Sequence, residues 1–190
     1  SGVNNTLMGS LAGDALTSSN NNLAIGYKAL SADTVGTKTT AVGFEALMSQ
    51  NFTTNTDSFN VAVGHTAGRE ITTGIENTIV GSRAGDALTT GQENAVFGQQ
   101  ALSSDTAGNH STAIGHGALF TQNFTTATDT HNTAVGFSAG AGVTTGINNT
   151  LIGSTAGDAL TDADTNVALG HAALSTDTLG SQSVAIGASA

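Results

Sequence analysis

The stretch His131-Asn132-Thr133-Ala134-Val135-Gly136-Phe137-Ser138-Ala139-Gly140 carries the pattern on which the fold of this chain turns. Its kernel, Asn-Thr-Ala-Val-Gly with variants, ends at Gly9, Gly26, Gly43, Gly64, Gly81, Gly98, Gly115, Gly136, Gly153, Gly170 and Gly187. The intervals between successive glycines are 17, 17, 21, 17, then 17, 17, 21, 17, then 17 and 17. Gly9, Gly81 and Gly153 therefore head a longer period laid over the short one, with units at 5–76, 77–148 and, in part, 149–190. A fixed period of this size is the mark of a repeat architecture, and it is read before any local signal.

Each column of the repeat has a physical meaning. The residue before the glycine is always large and apolar, from Met8 and Ile25 to Ile186, and the third residue after it is always Ala, from Ala12 to Ala190. The next position is Gly or Leu, in the order Gly, Leu, Leu, Gly. Four positions before the glycine stands Asn, replaced only by Thr39, Ser111 and Ser183, which are themselves spaced by the longer period. A seventeen-residue unit with a Gly-centred turn, a second turn such as Thr72-Thr73-Gly74 and no helix-length apolar periodicity reads as one coil of a β-solenoid. Thr133-Ala134-Val135 is a short β-favouring run that stops at Gly136, as a strand before a turn should. The fold expected is therefore all-β, a parallel β-solenoid or β-roll of about eleven coils. Stacked at about 4.8 Å per coil, these make a rod on the order of 50 Å long.

Three expectations about packing follow. The invariant glycines mark positive φ or close backbone approach, the invariant alanines mark places where backbone or a neighbouring strand comes too close for a larger residue, and the Asn column forms a hydrogen-bonded ladder from coil to coil. Side chains alternate across a strand, yet both faces of Val61-Ala62-Val63 are apolar or small. One face fills the coil interior. The other calls for a second surface, most simply another copy of the chain, which points to self-association as a homotrimer or filament.

Composition removes several functions. Only 9% of residues are charged, about a third of the usual share, and four cations, Lys28, Lys38, Arg69 and Arg83, stand against 14 acids for a net charge of −10. Such a chain cannot neutralise a phosphate backbone, so nucleic acid is not an expected partner. With no Cys there is neither disulfide framework nor thiolate site. Apolar runs of four or five residues are too short to insert this segment in a membrane. Equivalent acids, Asp14 with Asp86 and Asp158, and Asp33 with Asp105 and Asp177, recur once in four coils. That places them about 19 Å apart, beyond a physiological Debye length, on turns expected to be solvated.

Asn22-Leu23-Ala24-Ile25-Gly26 and Ser183-Val184-Ala185-Ile186-Gly187 resemble the repeat of trimeric autotransporter adhesin heads. The longer units, such as 131–140 followed by Thr144-Thr145-Gly146, are also similar to repeat regions of phage tail-fibre-like and bacterial surface fibre proteins. The adhesin resemblance implies three chains in a parallel β-roll, although that family's coil is nearer fourteen residues. It further implies an extracellular or cell-surface location, with a virion tail fibre as the alternative. Gly2-Val3-Asn4-Asn5 matches Gly146-Ile147-Asn148-Asn149, and the last coil stops partway, which suggests a window on a longer array.

Candidate sites are few. The two longer coils carry Asn51-Phe52-Thr53 and Asn123-Phe124-Thr125 in their extra length. Insertions in a repeat map to loops on one face, so Asn51, Phe52, Asn123 and Phe124 are expected in exposed loops. There the phenylalanines cap a groove or touch a neighbouring chain, and the asparagines are glycosylation candidates. His65, His116 and His171 follow the invariant glycine at intervals of about three coils and read as surface positions, and Asp162 and Asp164 read as a solvated turn. No nucleophile elbow, phosphate loop or HExxH occurs. Neither catalytic nor metal residues are expected, and no cofactor. The function expected is a structural fibre segment of a filament or adhesin. A receptor-binding shaft or tip that engages a host surface or glycan is the alternative, and an ice-binding solenoid ranks third.

Overall fold

The computed structural model describes residues 2–190. It is all-β, a parallel β-solenoid. Eleven three-residue strands, from Thr6–Met8, Leu23–Ile25 and Thr40–Val42 through to Val167–Leu169 and Val184–Ile186, form one sheet in strict chain order. Every pair is parallel and in register, so Ala41, Ala62, Ile79 and Val96 are successive rungs. Ladder bonds such as Gly43 N–H to the Ile25 carbonyl at 2.7 Å run along the axis. Eleven rungs at the usual spacing give a rod of about 48 Å.

Counted from the invariant glycines, coil 1 is residues 9–25, coil 2 is 26–42, coil 3 is 43–63, coil 4 is 64–80 and coil 5 is 81–97. Coils 6 to 9 repeat coils 2 to 5 one long period later, so that coil 6 begins at Gly98 and coil 7 at Gly115.

A coil this small must turn sharply several times, and the backbone records it. The invariant glycines are left-handed, with φ of 129° at Gly9, 144° at Gly43 and 142° at Gly136. A Cβ built on Gly43 would strike the carbonyl of Gly64 in the next coil. Both expected reasons for glycine therefore hold together. Three further positions per coil are left-handed: five before the glycine (Lys38, φ 59°) and two after it (Thr66, φ 54°), both almost always with ordinary side chains, and four after it, which is Leu in some coils (Leu30, φ 54°) and Gly in the others (Gly68, φ 58°). Left-handed backbone costs an L-residue on the order of 1 kcal/mol, and the stacked ladders on either side hold it there.

The interior is filled by a compensating code. The middle residue of each strand and the invariant Ala point inward, and Ala24, Ala29, Ala62, Ala67 and Ala134 are fully buried. Where the fourth residue after the glycine is Gly, the seventh is aliphatic: Gly13 with Leu16, Gly68 with Ile71, Gly85 with Leu88, Gly140 with Val143, Gly157 with Leu160. A Cβ on Gly68 would press on Ile71 and Leu47 at 3.1 Å and Ile79 at 3.2 Å, so the glycine leaves room for the aliphatics. Where the fourth residue is Leu, the seventh is polar: Leu30 with Asp33, Leu47 with Gln50, Leu102 with Asp105, Leu119 with Gln122. Each fully buried Leu or Ile contributes about 1.5–3 kcal/mol. Core volume is thus conserved while its chemistry alternates.

Candidate functional surfaces

The first feature is internal. The Asn ladder runs as expected: Asn77 Oδ1 accepts the Asn94 backbone N–H at 3.1 Å, and Asn77 Nδ2 donates to the Gly91 carbonyl at 2.9 Å. Asn149 and Asn166 repeat the arrangement. The ladder changes at Thr39 and Ser111, and there the longer coils show their purpose. Gln50 Nε2 donates to Asp33 Oδ2 at 2.7 Å and to Thr39 Oγ1 at 3.0 Å, Gln50 Oε1 accepts from Asn60 Nδ2 at 2.9 Å, and Thr39 shares a hydroxyl bond of 2.6 Å with Ser58. Asp33 Oδ1 accepts the backbone N–H groups of Gly36 and Phe52 at 3.0 and 3.4 Å. In coils 6 and 7, Gln122 meets Asp105 at 2.6 Å and Ser111 at 2.8 Å, Asn132 meets Gln122 at 2.9 Å, and Ser111 meets Thr130 at 2.7 Å. All these side chains are buried. Burial raises the Asp105 pKa, against the opposing pull of the Gln122 amide and nearby backbone N–H groups.

Two expectations are corrected here. Phe52 and Phe124 do not stand on exposed loops: they are 5% and 8% exposed. Their rings close the polar cluster, and a Cβ on Gly36 would stand 2.8 Å from Phe52 Cδ2. The backbone N–H of each is held by the buried carboxylate, so the ring is fixed inward and shields that carboxylate from water. Asp33 and Asp105, expected on solvated turns, are likewise buried, because the coils supply enough N–H donors to replace water. Asn51 and Asn123 are exposed, and Asn51 Oδ1 accepts from Thr34 Oγ1 at 3.1 Å.

The second feature is external. The two outer residues of every strand face away from the interior and build a flat face along the rod. None of these positions, two from each of eleven strands, is charged. One column is wholly aliphatic or aromatic, with Met8, Phe97, Ile114 and Ile152 exposed by a third or more. The column after the invariant glycine widens the patch. There Tyr27, Phe44 and His65 stack at 5.3 and 5.1 Å, and His116 stacks on Phe137 at 5.3 Å. The histidines singled out from the sequence are thus surface rungs, two of them part of aromatic stacks. The second column mixes Thr40, Thr78 and Thr112 with Leu23, Val61 and Val184.

A third feature lies where the inserts leave the rod. Thr56–Asp57 pairs with Gly36–Thr37, and Thr128–Asp129 with Gly108–Asn109, each as a separate two-stranded sheet. Residues 53–55 and 125–127 project as exposed tips. Beside the first tip, Lys38 Nζ lies 2.6 Å from Asp57 and 4.9 Å from the centre of the Phe59 ring. The Lys38 hydrogen bond, then that of Thr37, lowers the Asp57 pKa. Beside the second, His110 lies 3.3 Å from both Glu93 and Asp129 and 5.0 Å from the His131 ring. Asp162 is exposed, while Asp164 accepts the Ile147 N–H at 2.8 Å and serves the ladder.

Among the described residues, no group of three or more His, Asp or Glu is placed to hold a metal ion. Sequence reasoning missed Gln50, Gln122, Ser58 and Thr130. The signal that finds them is the pairing of the fourth and seventh positions after the glycine, since Leu followed by Asp or Gln places a polar group where Gly-type coils place an aliphatic one. Compared with known proteins, the chain matches no family model, no curated protein and no solved structure.

Proposed function

We propose that this chain is a structural segment of an extracellular or cell-surface fibre, of filament or adhesin type, without catalysis, that self-associates through its flat outer face. The observation that carries this reading is the absence of charge from every outward strand position in a chain of net charge −10. Solvated sheet faces ordinarily carry charges, and an uncharged face with one unbroken apolar column beside a mixed Thr and aliphatic one supports an interface. A face about 48 Å long and 10–16 Å wide offers roughly 500–750 Å² per chain, close to the ~800 Å² each partner gives to a standard interface. The resemblance to adhesin heads favours three copies. In such an assembly tensile strength comes from the axial ladders, and lateral cohesion from the aliphatic columns.

The test is the mass of the particle in solution, by analytical ultracentrifugation of the chain and of a Val80→Lys/Ile114→Lys double variant. The expected result is a homotrimer or larger species for the parent and a folded monomer for the variant. A monomeric parent at micromolar concentration overturns the reading.

A second reading, a receptor-binding shaft or tip of a phage tail fibre, is favoured by the two tips at 53–55 and 125–127, which project four coils apart. Replacing both tips with Gly-Ser-Gly would then abolish adsorption to host glycan without changing particle mass. Ice binding is weaker. The Thr column on the outer face is interrupted by Leu23, Val61 and Ala95, and the hydroxyls of Thr72 and Thr89, in the other Thr column, are bonded to the next coil.

A further inference from the structure

The eleven coils are so alike that each could stack on almost any other, which raises the question of what keeps them in order. Five polar side chains, Asp33, Thr39, Gln50, Ser58 and Asn60, are buried with at most 1% exposure between coils 2 and 3. Every one has a partner within the cluster. Coil 2 brings the carboxylate and the threonine. Coil 3 brings the amide, the serine, the asparagine and the Phe52 ring that shuts the cluster off. Asp33 Oδ2 and the Thr39 hydroxyl in coil 2, and the Gln50 Nε2 and Ser58 hydroxyl in coil 3, find their side-chain partners only across the seam. No Gly-type coil can stand in for the missing half, since it presents Ile71, Leu88 or Leu160 at the position of Gln50.

Such a cluster is not needed for strength. Well-packed aliphatic residues in place of buried charges are commonly neutral or stabilising, and coils 4, 5, 8 and 9 are built that way. What a buried carboxylate adds is intolerance: it is strongly destabilising beside any neighbour that leaves it unpaired. We infer that coils 2 and 3, and likewise coils 6 and 7, are obligate pairs, joined by a buried polar lock that fixes the order of coils along the rod. Gly-type coils are then interchangeable singly, and locked coils can be removed or inserted only two at a time. The greater length of coils 3 and 7 follows, because the extra residues carry Ser58 and Thr130 to the place where Asn is lost from the ladder and let Phe52 and Phe124 fold over the carboxylate.

Three in-frame deletions of the full chain test this. Removing 81–97 takes out one Gly-type coil and brings Ile79 to the place of Val96. Removing 26–63 takes out the whole pair and brings Ala24 to the place of Ala62 and Asn22 next to Asn77. Removing 43–63 takes out half a lock and leaves Asp33 against Ile71. The first two are expected to melt within about 3 °C of one another. The third is expected to melt about 10 °C or more below them, with amide exchange at Leu23–Ile25 and Thr40–Val42 accelerated at least tenfold. Adding Leu30→Gly, Asp33→Leu and Thr39→Asn to the third, which converts the stranded coil to Gly type and restores the Asn ladder to Asn77, is expected to restore it. The inference is overturned if deletion of 43–63 is tolerated as well as deletion of 81–97, if deletion of the whole pair is as damaging as deletion of half, or if the converting substitutions restore nothing.

Discussion

Residues 26–63 and 98–135 are the same two-coil unit seen twice, and they agree inside while differing outside. Within, Asp33, Gln50 and Asn60 correspond to Asp105, Gln122 and Asn132, with amide-to-carboxylate distances of 2.7 and 2.6 Å. Even the exchange of Thr39 and Ser58 for Ser111 and Thr130 conserves one methyl group in total and keeps the hydroxyl bond at 2.6 and 2.7 Å. Outside, a lysine paired with one acid and lying over a phenylalanine is replaced by a histidine between two acids and beside another histidine. The interior is constrained by close packing and by the cost of an unpaired buried group. The surface, where a wrong pair costs little, is free to drift.

The comparison can be broken most forcefully at the turns. Gly43→Val and Gly115→Val each place a branched side chain at φ of 144° or 132° against the next coil's carbonyl. Each is expected to cost more than about 4 kcal/mol and to unfold its own half of the rod first, read by hydrogen exchange. Next come Gln50→Leu and Gln122→Leu, which leave Asp33 or Asp105 buried without its amide partner. A loss of about 3–5 kcal/mol is expected, equal in the two copies within about 0.5 kcal/mol. Chemical denaturation measures it, and a difference above about 1 kcal/mol would mean that the two interiors are not equivalent.

Phe52→Ala and Phe124→Ala are expected to cost about 3 kcal/mol each. They should also let solvent reach the carboxylate, so amide exchange at Gly36 and Gly108 rises with them.

Acidification separates inside from outside by sign. The Asp105 pKa is raised by burial, so stability tied to it is present below its unfolded value and is lost as pH rises through the folded one. Asp57 is lowered by Lys38 and Thr37, so its contribution is present above the unfolded value and is lost as pH falls through the folded one. On acidification from neutral pH through the carboxylate range, NMR-detected amide exchange, corrected for its intrinsic pH dependence, is therefore expected to slow around Asp105 and to quicken around Asp57. The same direction at both would contradict the contrast. Smallest of all, exchanging the exterior groups as Lys38→His with His110→Lys is expected to shift the melting temperature by less than about 3 °C.

Much of this was legible in the residues. The glycine spacing, with short β-favouring runs before each glycine and no helix-length apolar period between them, implies parallel in-register coils, because a strand and turn repeated at one period stack like on like. The Asn column implies its ladder for the same reason. The reading of Phe52, Phe124, Asp33 and Asp105 as exposed came from treating each residue by its type. Phenylalanine in an insertion and aspartate in a turn are ordinarily at the surface, and their burial depends on partners supplied one coil away. The left-handed Lys38, Thr66 and Leu30 were equally hidden, since their side chains carry no preference for that backbone.

The sequence by itself therefore determined the period, the coil count, the direction of stacking and the columns of small residues. These are properties of one coil repeated, and a column is visible in one dimension. The tertiary structure alone decided which acids are buried, what the four extra residues accomplish and which strand face is left bare. Those depend on what the neighbouring coil presents across about 4.8 Å, a relation between residues one coil apart in the chain. It becomes readable only when the chain is wound and burial sets the cost of leaving a polar group alone.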